Sequence, residues 1–437
     1  MRGKKYLWTL ATVYLAYLTH GVQAILLSQN KVSFFTQWGY TDATLGAAAV
    51  SAVIAYTGLA KFLTVWICGE ISDKVGRKRM IALGAVLYLG AFAGLLFSHS
   101  YAVACVCAFA LGAATSCFDG ACYPAVQESW TKSPGTAVIL IKGFISVSGL
   151  IYPLMVVKLT ESGNWAIGVI IPIVMAIGIL VISLIAPYSY DEEMKGRKND
   201  PAKKAAYEEE KKANKHVLDA DAKKAEARFL VKPPFFVTIG CALYGFIAMG
   251  TMYSAQQYIK VFGQLNAGMN DLASASLTSI FTAGSLIAVV LWGVFMAKFR
   301  WRTLKILLID LIGSVLGYAL LYLIKAPAMV YIATFMIGFF AAGGALQCGV
   351  SLIQEMHPGN KGRNLGIYYT FMGLASYVIP YIQSWLIGSS GEAQASMTNI
   401  LINLAMAIVG LLFMVYLATN YKKWFGVSPF SKVTDDE

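Results

Sequence analysis

Five ionisable side chains interrupt long apolar stretches of this chain: His20, Lys61, Asp119, Lys142 and Asp310. In hydrocarbon such a group costs about +2.5 to +3.5 kcal/mol on insertion scales, so it normally faces a cavity or a partner. Asp119 shares a helical face with Gly112, Thr115, Ser116 and Tyr123. A carboxyl group in apolar surroundings holds its proton nearer to neutral pH, which suits a proton carrier; a permanently ion-paired structural acid is the alternative. Lys61 lies on a stripe with Thr57 and Thr64, and Lys142 lies over Ser146 and Gly149. Either lysine suits attraction of an anion or neutralisation of Asp119, while a purely structural pair or a lysine reaching back to the interface is the plainer reading. His20 joins Tyr17, Gln23 and Asn30 along one side of its segment. Histidine relays protons near neutral pH, and a satisfied core histidine fits equally well. Further polar stripes carry Thr251, Ser254, Gln257 and Tyr258, then Thr278, Thr282 and Ser285, then Gln347, Ser351 and Gln354. They supply substrate contacts or helix-to-helix hydrogen bonds.

The elements that must position these groups follow from composition. The 437 residues are 57% hydrophobic and only 13% charged, against about 25% charged in soluble domains. Mean hydropathy is +0.61, and a soluble, collagen-like or disordered chain is excluded. A membrane helix needs about 20 mainly apolar residues. Breaks at charge clusters and at Gly, Pro and Asn predict twelve spans, at 6–35, 43–69, 79–97, 101–126, 136–157, 165–188, 235–261, 272–297, 303–324, 328–353, 363–387 and 395–419. The N-terminal Met-Arg-Gly-Lys-Lys before an apolar run imitates a signal peptide. That run is too long and carries His20, Gln23 and Asn30, so it reads as the first span. Spans three and six carry almost nothing polar and are expected to face lipid.

Charge sets the orientation. With both termini cytoplasmic, 29 of the 35 Lys and Arg residues fall inside, four outside (Lys31, Lys158, Lys260, Lys325) and two within the membrane (Lys61, Lys142), which is the positive-inside bias. The net charge of +12 therefore marks the cytoplasmic face of the bilayer and does not imply a nucleic-acid partner. The seven cysteines lie in apolar runs and read as packing residues, with no metal spacing and no disulfide framework. No cofactor is implied. A phosphate-binding Gly-x-x-x-x-Gly-Lys-Ser/Thr loop is absent, as is any nucleophile–base constellation, so the expectation is not an enzyme and not an ATP-driven pump.

The chain also repeats itself. Gln127 and Gln354, Glu128 and Glu355, Gly135 and Gly362, Phe144 and Phe371, and Pro153 and Pro380 are each separated by 227 positions. Two related six-helix halves follow, with bundles at 1–188 and 233–420, a charged linker at 189–232 and a tail at 421–437. The linker holds 12 basic and 10 acidic residues and reads as a solvated, partly helical connector.

After the second span comes GEISDKVGRKRM, Gly69 to Met80, which resembles the signature loop of the major facilitator superfamily. Gly69 would allow close helix approach and Gly76 would turn the loop, while Arg77, Lys78 and Arg79 would hold it in the cytoplasm. The resemblance implies that Asp73 helps latch the two halves on the cytoplasmic side, with Arg363 as the available basic partner. Glu128, Glu355, Pro358, Gly362, Arg363 and Gly366 are similar to the supporting elements after spans four and ten. These charges could equally serve only topology. In family geometry span nine is peripheral, so Asp310 reads as structural. A narrower resemblance rests on FDGACYPAVQE (Phe118 to Glu128), SPGTAVILIKGF (Ser133 to Phe144), LYGFIAMGTMYSAQQY (Leu243 to Tyr258) and AGGALQCGVSLIQE (Ala342 to Glu355). These look like little-characterised bacterial inner-membrane transporters linked with quinate and shikimate, with conjugated bile-salt transporters of lactobacilli as relatives. The fucose-permease group is more distant: it has an acid at the position of Asp119, but Ala24 stands where it has an acid in span one.

The expected fold is an all-α membrane protein of twelve helices in two six-helix bundles. The expected function is proton-coupled alternating access for a small organic anion, a symport in the cytoplasmic membrane, by a monomer whose partners are its substrate, protons and the lipid bilayer. A sugar or polyol symporter, a proton-driven exporter and, remotely, a non-transporting sensor remain the alternatives.

Overall fold

The computed structural model describes residues 4–130, 134–358 and 361–433. Among the described residues, twelve helices are long and apolar enough to cross a membrane. In chain order the helices are α1 Leu7–Gln29, α2 Lys31–Gln37, α3 Ala43–Val75, α4 Arg77–Phe97, α5 Tyr101–Ser129, α6 Pro134–Glu161, α7 Ala166–Ile185, α8 Ser189–Asn199, α9 Pro201–Glu226, α10 Phe235–Asn266, α11 Asp271–Phe299, α12 Thr303–Leu323, α13 Pro327–Ile337, α14 Ala345–Met356, α15 Lys361–Ser390 and α16 Glu392–Phe425. With no water in hydrocarbon to satisfy backbone N–H and C=O groups, helices are the form such apolar segments take.

Two expected spans are interrupted. The first breaks at Asn30, whose side chain donates to the Leu26 carbonyl at 2.9 Å and to the Tyr152 hydroxyl at 3.0 Å, ending α1 and starting α2. The tenth passes from α13 through a π-helical segment, Gly338–Ala342, and a bend at Gly343 and Gly344 before α14 begins. Elsewhere the ends follow local chemistry. Asp42 caps α3 by accepting from the Leu45 N–H at 2.9 Å, and Asn270 caps α11 by accepting from the Ala273 N–H at 2.8 Å.

The chain divides into two compact units. The first comprises Met1–Glu208 with Tyr377–Glu392, the second Glu209–Ser376 with Ala393–Glu437. In the first unit α3 and α5 pack along their length. A Cβ on Gly112 of α5 would stand 2.1 Å from the Thr57 carbonyl oxygen, so the helices approach as closely as glycine permits. The segment Tyr377–Glu392 is tied to this unit by an ion pair of Lys31 with Glu392 and by the Ser384 hydroxyl donating to the Ala48 carbonyl at 2.8 Å. The core of the second unit gathers Tyr244, Trp292, Leu307, Leu311, Cys348, Leu352, Tyr368 and Met414, each buried.

The beginning of the linker is not a solvated connector. Helix α8 lies against the first unit, where Asp191 accepts from the Arg77 and Lys78 backbone N–H groups at 2.7 and 2.9 Å. The physical reason is that α4 follows α3 after a single residue, Gly76, and has no capping side chain of its own. The linker carboxylate satisfies two of its orphan donors at the positive end of the helix.

Candidate functional site

In the first unit α1, α3 and α5 bring their polar stripes together. Lys61 Nζ of α3 stands 2.9 Å from Asp119 Oδ2 of α5, and the Tyr17 hydroxyl of α1 donates to Asp119 Oδ1 at 2.9 Å. The Tyr123 ring lies 5.2 Å from Tyr17 in an edge-on arrangement. The surroundings of Asp119 are therefore not apolar, as a carboxyl in a greasy pocket would require, because a cation and a hydroxyl meet it. Asp119 and Lys61 keep 18% and 33% side-chain exposure, so the pair is only partly buried.

A second polar group adjoins the first along α1. His20 Nδ1 is 3.1 Å from Gln23 Oε1, and both approach the Thr115 hydroxyl at 3.4 Å. Tyr88 of α4 completes it, with its hydroxyl 3.0 Å from Thr115 Oγ1 and 3.4 Å from His20 Nδ1. Tyr88 corrects the expectation that span three only faces lipid, since its side chain is fully buried. The signal was present in the sequence as the phenolic tip of an otherwise apolar residue, which buried Tyr usually pairs. Lys142 is half-buried on α6, and the ion pair of Asp119 is made to Lys61.

Polar residues of the second unit are arranged differently. Thr251 bonds back to the Ile247 carbonyl at 2.9 Å, and its own carbonyl accepts from the Tyr318 hydroxyl at 2.7 Å. Gln257 and Tyr258 are buried on α10. The neighbouring Ser254 donates to Asn399 Oδ1 and accepts from Asn403 Nδ2, both at 2.8 Å. Gln347 does not join them; it is exposed on α14, one turn from Ser351. Asn399 and Asn403 were absent from the expected stripes, although their four-residue spacing on one apolar helix is a readable signal.

The signature loop is organised by its own arginine. Arg77, only 6% exposed in its side chain, reaches Asp73 at 2.7 Å, Glu128 at 3.1 Å and the Ser72 hydroxyl at 2.9 Å. Its guanidinium lies 4.3 Å from the centre of the Tyr190 ring, and the Tyr190 hydroxyl donates to the Asp73 carbonyl at 2.8 Å. Arg77 is thus a buried ion-pair centre. Asp73 pairs with Arg77 on its own loop, whereas the side chain of its expected partner Arg363 lies outside the described residues. Lys78 is half-buried beside it, with its backbone N–H held by Asp191. Gly76 turns the loop at φ +98°. A Cβ on Gly69 would meet nothing within 4 Å; the tight position is its neighbour Gly120, whose Cβ would come within 2.9 Å of the Gly69 nitrogen. In the second unit Glu355 accepts from the Tyr421 hydroxyl. At the chain's start Lys5 pairs with Glu192 at 2.7 Å, and that carboxylate pushes the Lys5 ammonium above its ordinary pKa.

Among the described residues no group of three or more His, Cys, Asp or Glu side chains could hold a metal ion. The arrangement instead sets a carboxylate, a cation and hydrogen-bonding hydroxyl, amide and imidazole groups beside one another on α1, α3, α4 and α5.

Comparison with known proteins agrees with this architecture. The chain is 31% identical over 422 residues to the inner membrane transport protein YdiM of Escherichia coli (strain K12), covering 96% of this chain and 95% of that protein. It is 29% identical over 421 residues to the MFS-type transporter YfkL of Bacillus subtilis (strain 168), covering 96% and 98%. The crystal structure of a D-xylose–proton symporter superposes with a TM-score of 0.69 at 16% identity, covering 94% of this chain and 97% of that one, which shows the shared fold. The family model described as Major Facilitator Superfamily matches residues 8–380 and 268–430. This chain belongs to the major facilitator superfamily, as a multi-pass membrane transporter of a small solute.

Proposed function

We propose that the protein couples protons to the movement of a small organic anion, such as a hydroxylated or aromatic carboxylate or a conjugated bile salt, by alternating access. The observation that carries this reading is the partly buried Lys61–Asp119 pair at 2.9 Å. With Asp119 ionised, the Lys61 charge is occupied. A proton on Asp119 removes the carboxylate's charge and leaves Lys61 to meet an anion, so proton and anion bind together with little change in local charge. Tyr17 donates to the carboxylate, Tyr123 packs edge-on against the Tyr17 ring, and His20, Gln23, Tyr88 and Thr115 form a neighbouring group of donors and acceptors. In this reading Asp73, Arg77 and Glu128 keep the cytoplasmic loop in shape, and both termini lie in the cytoplasm.

A sugar or polyol symport is the second reading, supported by the uncharged group around His20 and Thr115. A flux assay in proteoliposomes with an imposed pH gradient separates the two. Competition by carboxylates and bile salts but not by sugars is expected, and Asp119→Asn is expected to abolish gradient-driven uptake. Unchanged pH-driven uptake by a folded Asp119→Asn protein would overturn the coupling assignment.

A further inference from the structure

The second unit contains another carboxylate, in surroundings opposite to those of Asp119. Asp310 of α12 is 0% exposed. Its Oδ1 accepts from the Trp292 indole N–H of α11 at 3.0 Å, and its Oδ2 has no hydrogen-bond partner. Among the described residues no Lys, Arg or His nitrogen pairs with it. The nearest cations in sequence are engaged elsewhere: Arg302, just before α12, approaches the Tyr421 hydroxyl, and Lys305 lies 3.7 Å from the centre of the Trp301 ring. The titratable side chains sharing this core are Cys241 and Tyr244 of α10, Cys348 of α14, Tyr368 of α15 and Tyr421 of α16, while the second unit's other cluster holds Tyr318 of α12 and, partly buried, Tyr322 of α12 and Tyr331 of α13. All are neutral at physiological pH in their ordinary state. Glu355, at the far end of α14, accepts from Tyr421.

An ionised carboxylate buried without a cation carries a large desolvation penalty, and the ordinary resolution is that it takes up a proton. The local backbone is adapted to this carboxyl. Oδ2 points at the bend of the interrupted helix, where a Cβ on Gly344 would stand 2.7 Å from it and 2.5 Å from Trp292 Cδ1. The π-helical Gly338–Ala342 immediately precedes that bend. Such π segments recur at functional sites, and interrupted helices in transporters commonly carry ion sites. The hydroxyls of Tyr244 and Tyr368, both buried without partners, lie in the same core. A region that serves only packing would not accumulate a lone carboxyl, two unpaired phenols and a broken helix.

We propose that Asp310, Trp292 and the interrupted α13–α14 helix form a proton-binding site inside the second unit. The proton sits on Oδ2, Oδ1 is the carbonyl oxygen held by Trp292, and loss of the proton rearranges the backbone at residues 338–344. This site is independent of the Asp119 reading. Infrared difference spectroscopy of the full-length protein in liposomes, titrated upward from neutral pH, tests it. At neutral pH the wild type should show a protonated-carboxyl C=O band that is lost in Asp310→Asn, persists in Asp119→Asn and shifts to higher frequency in Trp292→Phe. Alkaline titration should remove the band together with a change in the amide I region, and Asp310→Asn should lack that coupled change. The proposal is overturned by an ionised Asp310 at neutral pH, by an amide I change that survives in Asp310→Asn, or by loss of the band on adding sodium at constant pH, which would make the ligand a metal cation.

Discussion

Asp119 and Asp310 are both aspartates on membrane helices, and the two units treat them in opposite ways. In the first unit the carboxylate is answered by Lys61 and Tyr17 and remains 18% exposed. In the second it is fully buried, receives one indole N–H and leaves an oxygen unpaired. The first arrangement suits a group that meets solute, because its charge is balanced and only partly buried. The second suits a group that exchanges a proton, because its unpaired oxygen is fully buried against the Gly344 bend, where even a Cβ would stand 2.7 Å from it.

Substitutions that separate steric, ionic and capping contributions test this contrast. The largest loss is expected for Gly344→Val, whose side chain would collide with Trp292 and Asp310; about 3 kcal/mol of stability should disappear, read as a lowered unfolding temperature in detergent. Next is Lys61→Met, which leaves Asp119 without its cation. Because the pair is partly exposed, about 2 kcal/mol is expected, below the range for a buried pair. The Lys61→Met/Asp119→Asn double variant should recover much of that loss in a double-mutant cycle, and strict additivity would deny the coupling. Asp191→Ala should cost about 1 kcal/mol by uncapping α4, with a smaller loss at high salt, since the carboxylate acts on backbone N–H groups at a helix N-terminus. The smallest effect belongs to Asp310→Asn, which should change stability by less than about 0.5 kcal/mol if the native carboxyl is already neutral. A loss comparable to that of Lys61→Met would equate the two sites and erase the contrast.

Much of the first site could be read along the chain. Helical spacing alone placed Lys61 with Thr57 and Thr64, and Asp119 with Thr115, Ser116 and Tyr123; α3 and α5 meet along those stripes, with Thr64 donating to Ser116 at 2.8 Å. Tyr88 escaped notice because hydropathy counts a tyrosine in an apolar helix as apolar, although its hydroxyl needs a partner once buried. The docking of α8 was equally hidden, because a mixed-charge helix reads as solvated whether or not one of its acids caps a neighbour. Asp310 read as structural because the family resemblance puts span nine at the periphery, and its isolation emerges only from what α10, α11 and α14 place around it.

What the amino-acid order determined alone is therefore the quantity that sums locally: twelve apolar segments, an uneven distribution of Lys and Arg along the chain, and five identities spaced 227 positions apart. Hydropathy and charge act residue by residue, so they survive without knowledge of neighbours. Tertiary structure decided the partners. It joined Asp119 to Lys61, turned Arg77 inward between Asp73 and Glu128, and left Asp310 facing a broken helix. Ion pairing and desolvation depend on separations of a few ångströms between helices far apart in sequence, and those separations exist only after the helices have packed.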